Sequence, residues 1–238
     1  MINLLRKDLR SVATKERATT NAWFFKTGKG QYGFGDEFLG ITVPEIRRII
    51  KKHTNISFVD VKKLLDSRFH EERLAGLLIL VSQYQKGDTI LREKIFLFYL
   101  KNISRVNNWD IVDLSAPHIL GAHLFGCRKK MRALLTKLSL SSNLWERRVA
   151  ILATFYFIKQ GDFAPSLDIA KRLLNDEHDL IHKAIGWMLR EVGKRDLAVL
   201  ETFLREKGRY KTMPRTMLRY AIERFLEPKR KKYLSATI

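Results

Sequence analysis

EERLAGLLILVSQY, residues Glu71 to Tyr84, returns apolar side chains at spacings of three and four without a proline, the period of a helix face. KAIGWMLREV, Lys183 to Val192, repeats the pattern a hundred residues later. Working outward, helical blocks begin at Pro44, Glu71, Trp109, Trp145, His182 and Pro214, at intervals of 27, 38, 36, 37 and 32 residues. That interval holds two helices and their turns. Self-similarity at this period predicts stacked helix pairs, each burying its apolar face against its neighbours. Only 5 prolines and 13 glycines punctuate the 238 residues, and Pro44 and Pro214 stand at the first position of their blocks, where a missing N–H costs nothing. The expected fold is all-α, a HEAT-like helical-repeat solenoid with a concave basic groove, with residues 1–238 as a single domain.

Charge narrows the partner. Lys and Arg number 45 against 25 Asp and Glu, a formal net charge of +20, spread along the chain with a small cluster at Lys229 to Lys232. A folded basic face of this kind suits a polyanion, nucleic acid first, and disfavours a scaffold for ordinary protein surfaces. No apolar stretch reaches the roughly 20 residues of a spanning helix and no cleavable signal precedes the blocks, so no membrane partner and a cytoplasmic location are expected. The one cysteine, Cys127, excludes an intrachain disulfide and any zinc site built on two cysteines of this chain, which leaves plain packing as its expected role.

TGKGQYGFGD, Thr27 to Asp36, breaks the helical pattern with four glycines and predicts a loop. Its GKGQYG matches the dinucleotide fingerprint formally, but that motif needs a preceding strand and a following helix, and neither is visible. Two readings stand: a loop that brings Lys26, Lys29 and Tyr32 against a phosphate backbone, or a tight connector with no partner. His178 and His182 lie at i,i+4 without a third ligand, so a cap or surface position is favoured and no metal is expected.

NNWDIVDLSAPHILG, Asn107 to Gly121, is the segment richest in possible chemistry. Trp109 and Asp113 are four apart and share one helix face, with Asp110 one residue round. An indole beside a carboxylate is a possible site; the plain alternative is a core tryptophan with a capping or ion-paired aspartate. One repeat on, NLWERRVAILATF carries Arg147 and Arg148 in an otherwise apolar helix, and a further repeat on IHKAIGWMLREVGK carries Trp187 with Lys183 one turn before it. Asp113, Arg148 and Trp187 are separated by 35 and 39 residues, so repeat stacking permits, without requiring, that they face one neighbourhood.

Taken together, FLGITVPEIRR, NNWDIVDLSAPHILG, NLWERRVAI, HKAIGWMLREVGKRD and MPRTMLRYAIERF, in this order from about Trp23 to Phe225, resemble the AlkD-like DNA alkylation repair glycosylases. The resemblance implies a HEAT-like solenoid with a basic concave DNA-binding face that excises N7-methylguanine and N3-methyladenine from double-stranded DNA. It also implies roles: Trp109 and Trp187 line the cleft against the DNA backbone, Asp113 is the catalytic carboxylate, and Arg148 contacts phosphate. Lys183, Lys29 and Tyr32 are expected to join the DNA-binding set. No cofactor is expected, and the chain is expected to act as a monomer. Two departures stand out: Asn108 occupies a place where some relatives carry an aromatic, and the glycine-rich loop is longer than in some relatives.

These residue types suit the reaction. A purine alkylated at N3 or N7 is already cationic and leaves as a neutral base, so no general acid is needed. One carboxylate suffices to stabilise an oxocarbenium-like sugar and position a water. Indole faces attract positive charge, and an arginine holds the adjacent phosphate. The alternative is a non-catalytic repeat scaffold that binds damaged or branched DNA; RNA binding is also open, and a protein-binding scaffold is disfavoured by the charge.

Overall fold

The computed structural model describes the backbone of residues 1–238 and every side chain except those of Lys129 and Met131. Among the described residues the secondary structure is helical with no strand; Glu37 and Phe69 form an isolated bridge. The fold is all-α, as the periodicity requires, and its succession of packed helices is consistent with a helical repeat. The chain divides into two compact units, Met1–Ile119 and Leu120–Ile238.

The first unit contains α1 (Ile2–Ser11), α2 (Lys15–Phe24), α3 (Val43–Ile50), α4 (Phe58–Leu65), α5 (His70–Lys86), α6 (Thr89–Lys101) and α7 (Trp109–Ser115). Helix α5 is its centre, touching α3, α4, α6 and α7. Its residues from His70 to Val81 are all buried, together with Tyr84. A helix buried on every side belongs in the middle of a layer, so the three-and-four spacing read from the sequence marks its helicity and understates its burial. Helix α3 starts with a capping box: Thr42 and Glu45 satisfy each other's backbone N–H groups, and Pro44 takes the second helical position.

A π-helical turn at Pro117–Gly121 follows α7 and contains the boundary between the units. The second unit contains α8 (Ala122–Phe125), α9 (Arg128–Ser139), α10 (Leu144–Lys159), α11 (Ala164–Arg172), α12 (Asp179–Gly193), α13 (Leu197–Arg205), α14 (Arg209–Thr212), α15 (Arg215–Ala221) and α16 (Glu227–Leu234). Helix α10 plays the part that α5 plays in the first unit, buried from Arg148 through Thr154 and touching α8, α9, α11 and α12. Helices α12 and α15 approach at backbone distance. A Cβ on Gly186 would lie 2.4 Å from the Tyr220 Cβ and 2.6 Å from the Met217 carbonyl, so no larger residue fits between them.

The six sequence blocks correspond to α3, α5, α7, α10, α12 and α15, each beginning within three residues of the expected start. Pro214 is the N-cap of α15 rather than its first residue, a position that equally needs no intrahelical N–H. Cys127 overturns the expected packing role: it is exposed, at the turn before α9 where the chain leaves the core.

Candidate active site

Helix α7 begins at Trp109, with Asn108 as its N-cap accepting from the Trp109 N–H at 2.8 Å. Asp113 lies one turn further on the same face, half-buried and engaged with neighbouring groups. The indole of Trp109 is held from the side: Phe25 stacks on it at 5.2 Å with planes 16° apart, and Phe24 meets it edge-on at 5.9 Å. Phe25 also stacks on Phe38 at 5.1 Å, and both rings pack on the His70 imidazole, at 4.9 and 4.8 Å. Aromatic pairs at these separations fix orientation as well as burying area. The half-buried Trp109 is therefore held in a braced position.

Behind the rings lies a buried polar cluster. The Nε2 atom of His70 is 2.8 Å from the Asp110 carboxylate, and its Nδ1 is 3.5 Å from Asp36. Asp36 also pairs with Arg73 at 2.6 Å and accepts from the Asn108 amide at 3.0 Å. Burial alone would lower the His70 pKa, but the charge and hydrogen bond of Asp110 and the nearby Asp36 carboxylate raise it to about 9, against the opposing charge of Arg73. Burial pushes the Asp36 carboxyl up, and the neighbouring His70 ring with the Arg73 charge and the Asn108 hydrogen bond outweighs it and leaves Asp36 below its ordinary range. His70 is thus an imidazolium at neutral pH, tying the end of the glycine-rich loop to the first turn of α7. Asn108, the departure noted in the sequence, is fully buried as the link between the two.

Residues 70–73, His-Glu-Glu-Arg, are all buried although their types favour solvent. Glu71 accepts from the backbone N–H groups of Leu39, Gly40 and Ile41, and Glu72 pairs with Arg6 and Arg10 at 2.9 and 2.8 Å. The first turn of α5 is a hub that joins α1, the loop and α7. Sequence reasoning passed over this hub and over Phe24, Phe25 and Phe38. The available signals were four consecutive polar residues opening an apolar helix, and the aromatic run Trp23-Phe24-Phe25.

Residues 27–36 form a loop, as expected, and with no strand before it the dinucleotide reading falls away. Turn hydrogen bonds order it, including Gly33 N–H to the Lys26 carbonyl at 3.1 Å and Asp36 N–H to the Gly33 carbonyl at 3.0 Å. Gly33 faces the Phe25 carbonyl so closely that a Cβ would sit 2.3 Å from it. Lys26 and Lys29 are exposed, and the Tyr32 hydroxyl donates to the Phe24 carbonyl at 3.5 Å.

In the second unit Arg148 and Trp187 lie where α10 and α12 meet. Arg148, only 5% exposed, donates from Nη1 to the Leu180 carbonyl at 2.5 Å. Two turns along α10, Phe155 packs on the half-buried Trp187 at 5.6 Å. Lys183 pairs with Asp179 at 2.7 Å on the first turns of α12. Arg148 is therefore a tie between helices in addition to any contact with a ligand. His178 caps α12, accepting from the Leu180 N–H at 3.1 Å, and His182 bonds to the Asp176 carbonyl, which accounts for both histidines. No cluster of metal-ligating side chains occurs among the described residues, and none of their helices is long and apolar enough to cross a membrane.

The sequence model of the family described as DNA alkylation repair enzyme matches residues 5–225. A solved structure titled as a predicted DNA alkylation repair enzyme from Enterococcus faecalis superimposes with a TM-score of 0.70 at 16% identity, over 90% of this chain and 97% of that one. At that identity the likeness speaks for the fold. No curated protein matches the chain.

Proposed function

Since the chain belongs to the family of DNA alkylation repair enzymes, we propose that it is a glycosylase hydrolysing the N-glycosidic bond of cationic alkylated purines in duplex DNA. The observation that carries this reading is the pairing on α7 of a braced indole, Trp109, with a carboxylate one turn on, Asp113. An alkylpurine cation needs no proton to depart; it needs its positive sugar stabilised as the bond breaks. A carboxylate supplies that charge and orients the attacking water, and an indole face favours a cationic partner. Asp113 is the proposed catalytic residue, with Trp109 in the first unit and Trp187 in the second as proposed aromatic contacts to DNA. In the second unit Arg148 and Lys183 are the proposed phosphate contacts, and in the first unit Lys29 and Tyr32. The net charge of +20 supports a polyanionic partner.

The test is base release from a duplex carrying one N7-methylguanine. Release should be efficient there and poor from uracil- or hypoxanthine-containing duplexes, whose neutral bases ordinarily require protonation. Binding without release from any of these would support the non-catalytic scaffold instead, and efficient uracil release would overturn the proposed chemistry.

The loop gives a separate prediction. Lys29→Ala should weaken duplex binding on every sequence and lower the slope of log affinity against log salt by about one. Tyr32→Ala should weaken binding with the slope unchanged. Helical circular dichroism should be intact in both, and unaltered affinity in both would return the loop to the role of a connector.

A further inference from the structure

Within residues 23–34 three large aromatic side chains stand in solvent: Trp23 is 81% exposed, Phe24 53% and Phe34 66%. Helix α2, which carries the first two at its end, buries none of its residues. Exposed apolar surface gathered in one short segment marks a place where a partner binds. The pieces are held together. The Gly33 to Lys26 hydrogen bond folds the loop back onto the end of α2 ahead of Phe34, the Tyr32 hydroxyl reaches the Phe24 carbonyl, and Phe24 edges Trp109 at 5.9 Å. Lys26 and Lys29 flank the rings in solvent, and no acidic residue lies between Glu16 and Asp36.

Flat aromatic faces among cations, without anions, fit a polyanion that also carries flat faces. A fully paired duplex hides those faces in its stack and offers only its backbone. A base outside the stack offers both of its faces, and stacking on protein aromatics is indifferent to which base it is. We propose that Trp23, Phe24 and Phe34 form a stacking platform for a nucleobase standing outside the duplex, with Lys26 and Lys29 against the phosphates beside it. This rests on the reading of DNA as the partner and goes past it by naming the unpaired base as what the surface takes. The edge contact of Phe24 with Trp109 joins the platform to the proposed site, where holding a displaced base offsets the cost of disturbing the helix.

The experiment uses the full chain and two fluorescently labelled duplexes of one sequence, one fully paired and one with a single extra unpaired thymine, with affinities read by anisotropy. Wild-type protein should favour the bulged duplex about tenfold, the scale of one base stacked on an aromatic. Trp23→Ala and Phe34→Ala should each remove most of that preference while changing affinity for the paired duplex less than twofold. Trp23→Phe should retain most of it. Both side chains are exposed, so circular dichroism should stay unchanged. Equal affinity of the wild type for both duplexes, equal losses on both, or no loss in either variant would overturn the platform while leaving duplex recognition standing. Failure to bind either duplex would instead remove the DNA reading on which the platform rests.

Discussion

Asp113→Asn protein should release N7-methylguanine at least about a hundredfold more slowly than wild type while staying folded and keeping its affinity for duplex, the scale expected when one preorganised electrostatic group is lost. The side chain keeps its size and gives up only its charge. The neighbouring Asp110 supplies the contrast. It is buried, accepts from the Ile111 N–H at 2.8 Å and pairs with His70, so Asp110→Asn should lower the melting temperature, with activity following the folded fraction. That pair of outcomes would separate two carboxylates three residues apart on one helix into a chemical and a structural acid. Asp113→Asn protein that melts normally and still releases N7-methylguanine at the wild-type rate would sink the assignment; so would a loss of activity that simply tracks unfolding.

His70→Gln should be among the most destabilising single changes in the first unit. It leaves Asp110 and Asp36 buried without the cation between them, and removing one partner from a buried pair costs about 3–5 kcal/mol. In a chain of this length that corresponds to roughly 10 °C in melting temperature. The pH dependence identifies the cause. The folded-state pKa of His70 is raised to about 9 from an ordinary 6.5. Its stabilising contribution is therefore complete below about pH 6.5 and is lost as pH rises through about 9, a span of about 3 kcal/mol. The gap in melting temperature between wild type and His70→Gln should accordingly be widest at pH 6 and narrow progressively towards pH 10. A gap that stays constant over that range would mean that packing of the ring, rather than its charge, accounts for the loss.

How much of this was legible follows from which signals are local. The helix starts at Val43, His70, Trp109, Leu144, Asp179 and Arg215 were readable because prolines, caps and apolar spacing act within one turn of chain. Trp109 and Asp113 were readable as one face of one helix for the same reason. The support beneath them was not. His70 gains its meaning from Asp110, 40 residues away, and Asp36 from Arg73, 37 residues away. Without those partners, four polar residues opening an apolar helix read as a solvated first turn. Arg148 was singled out as a phosphate contact, and its bond to the Leu180 carbonyl, 32 residues on, was equally invisible. The exposed Trp23 and Phe34 could not be told from core residues by type, since aromatic character alone favours burial.

The Gly186 contact carries a lesson for anyone wishing to reshape the protein. With a Cβ at that position 2.4 Å from Tyr220, the separation of α12 and α15 is set by the lack of a side chain, and Trp187 is the very next residue. A directed-evolution library aimed at Trp187 that also randomised residue 186 would spend nearly all of its members on helices forced apart. The atoms that Gly186 faces on α15, the Tyr220 Cβ and the Met217 backbone oxygen, belong to any residue larger than glycine, so trimming the side chains across the contact does not make room at residue 186. Gly186 is in that sense a fixed point of the fold's evolvability, and drift in the surface around Trp187 has to leave it in place.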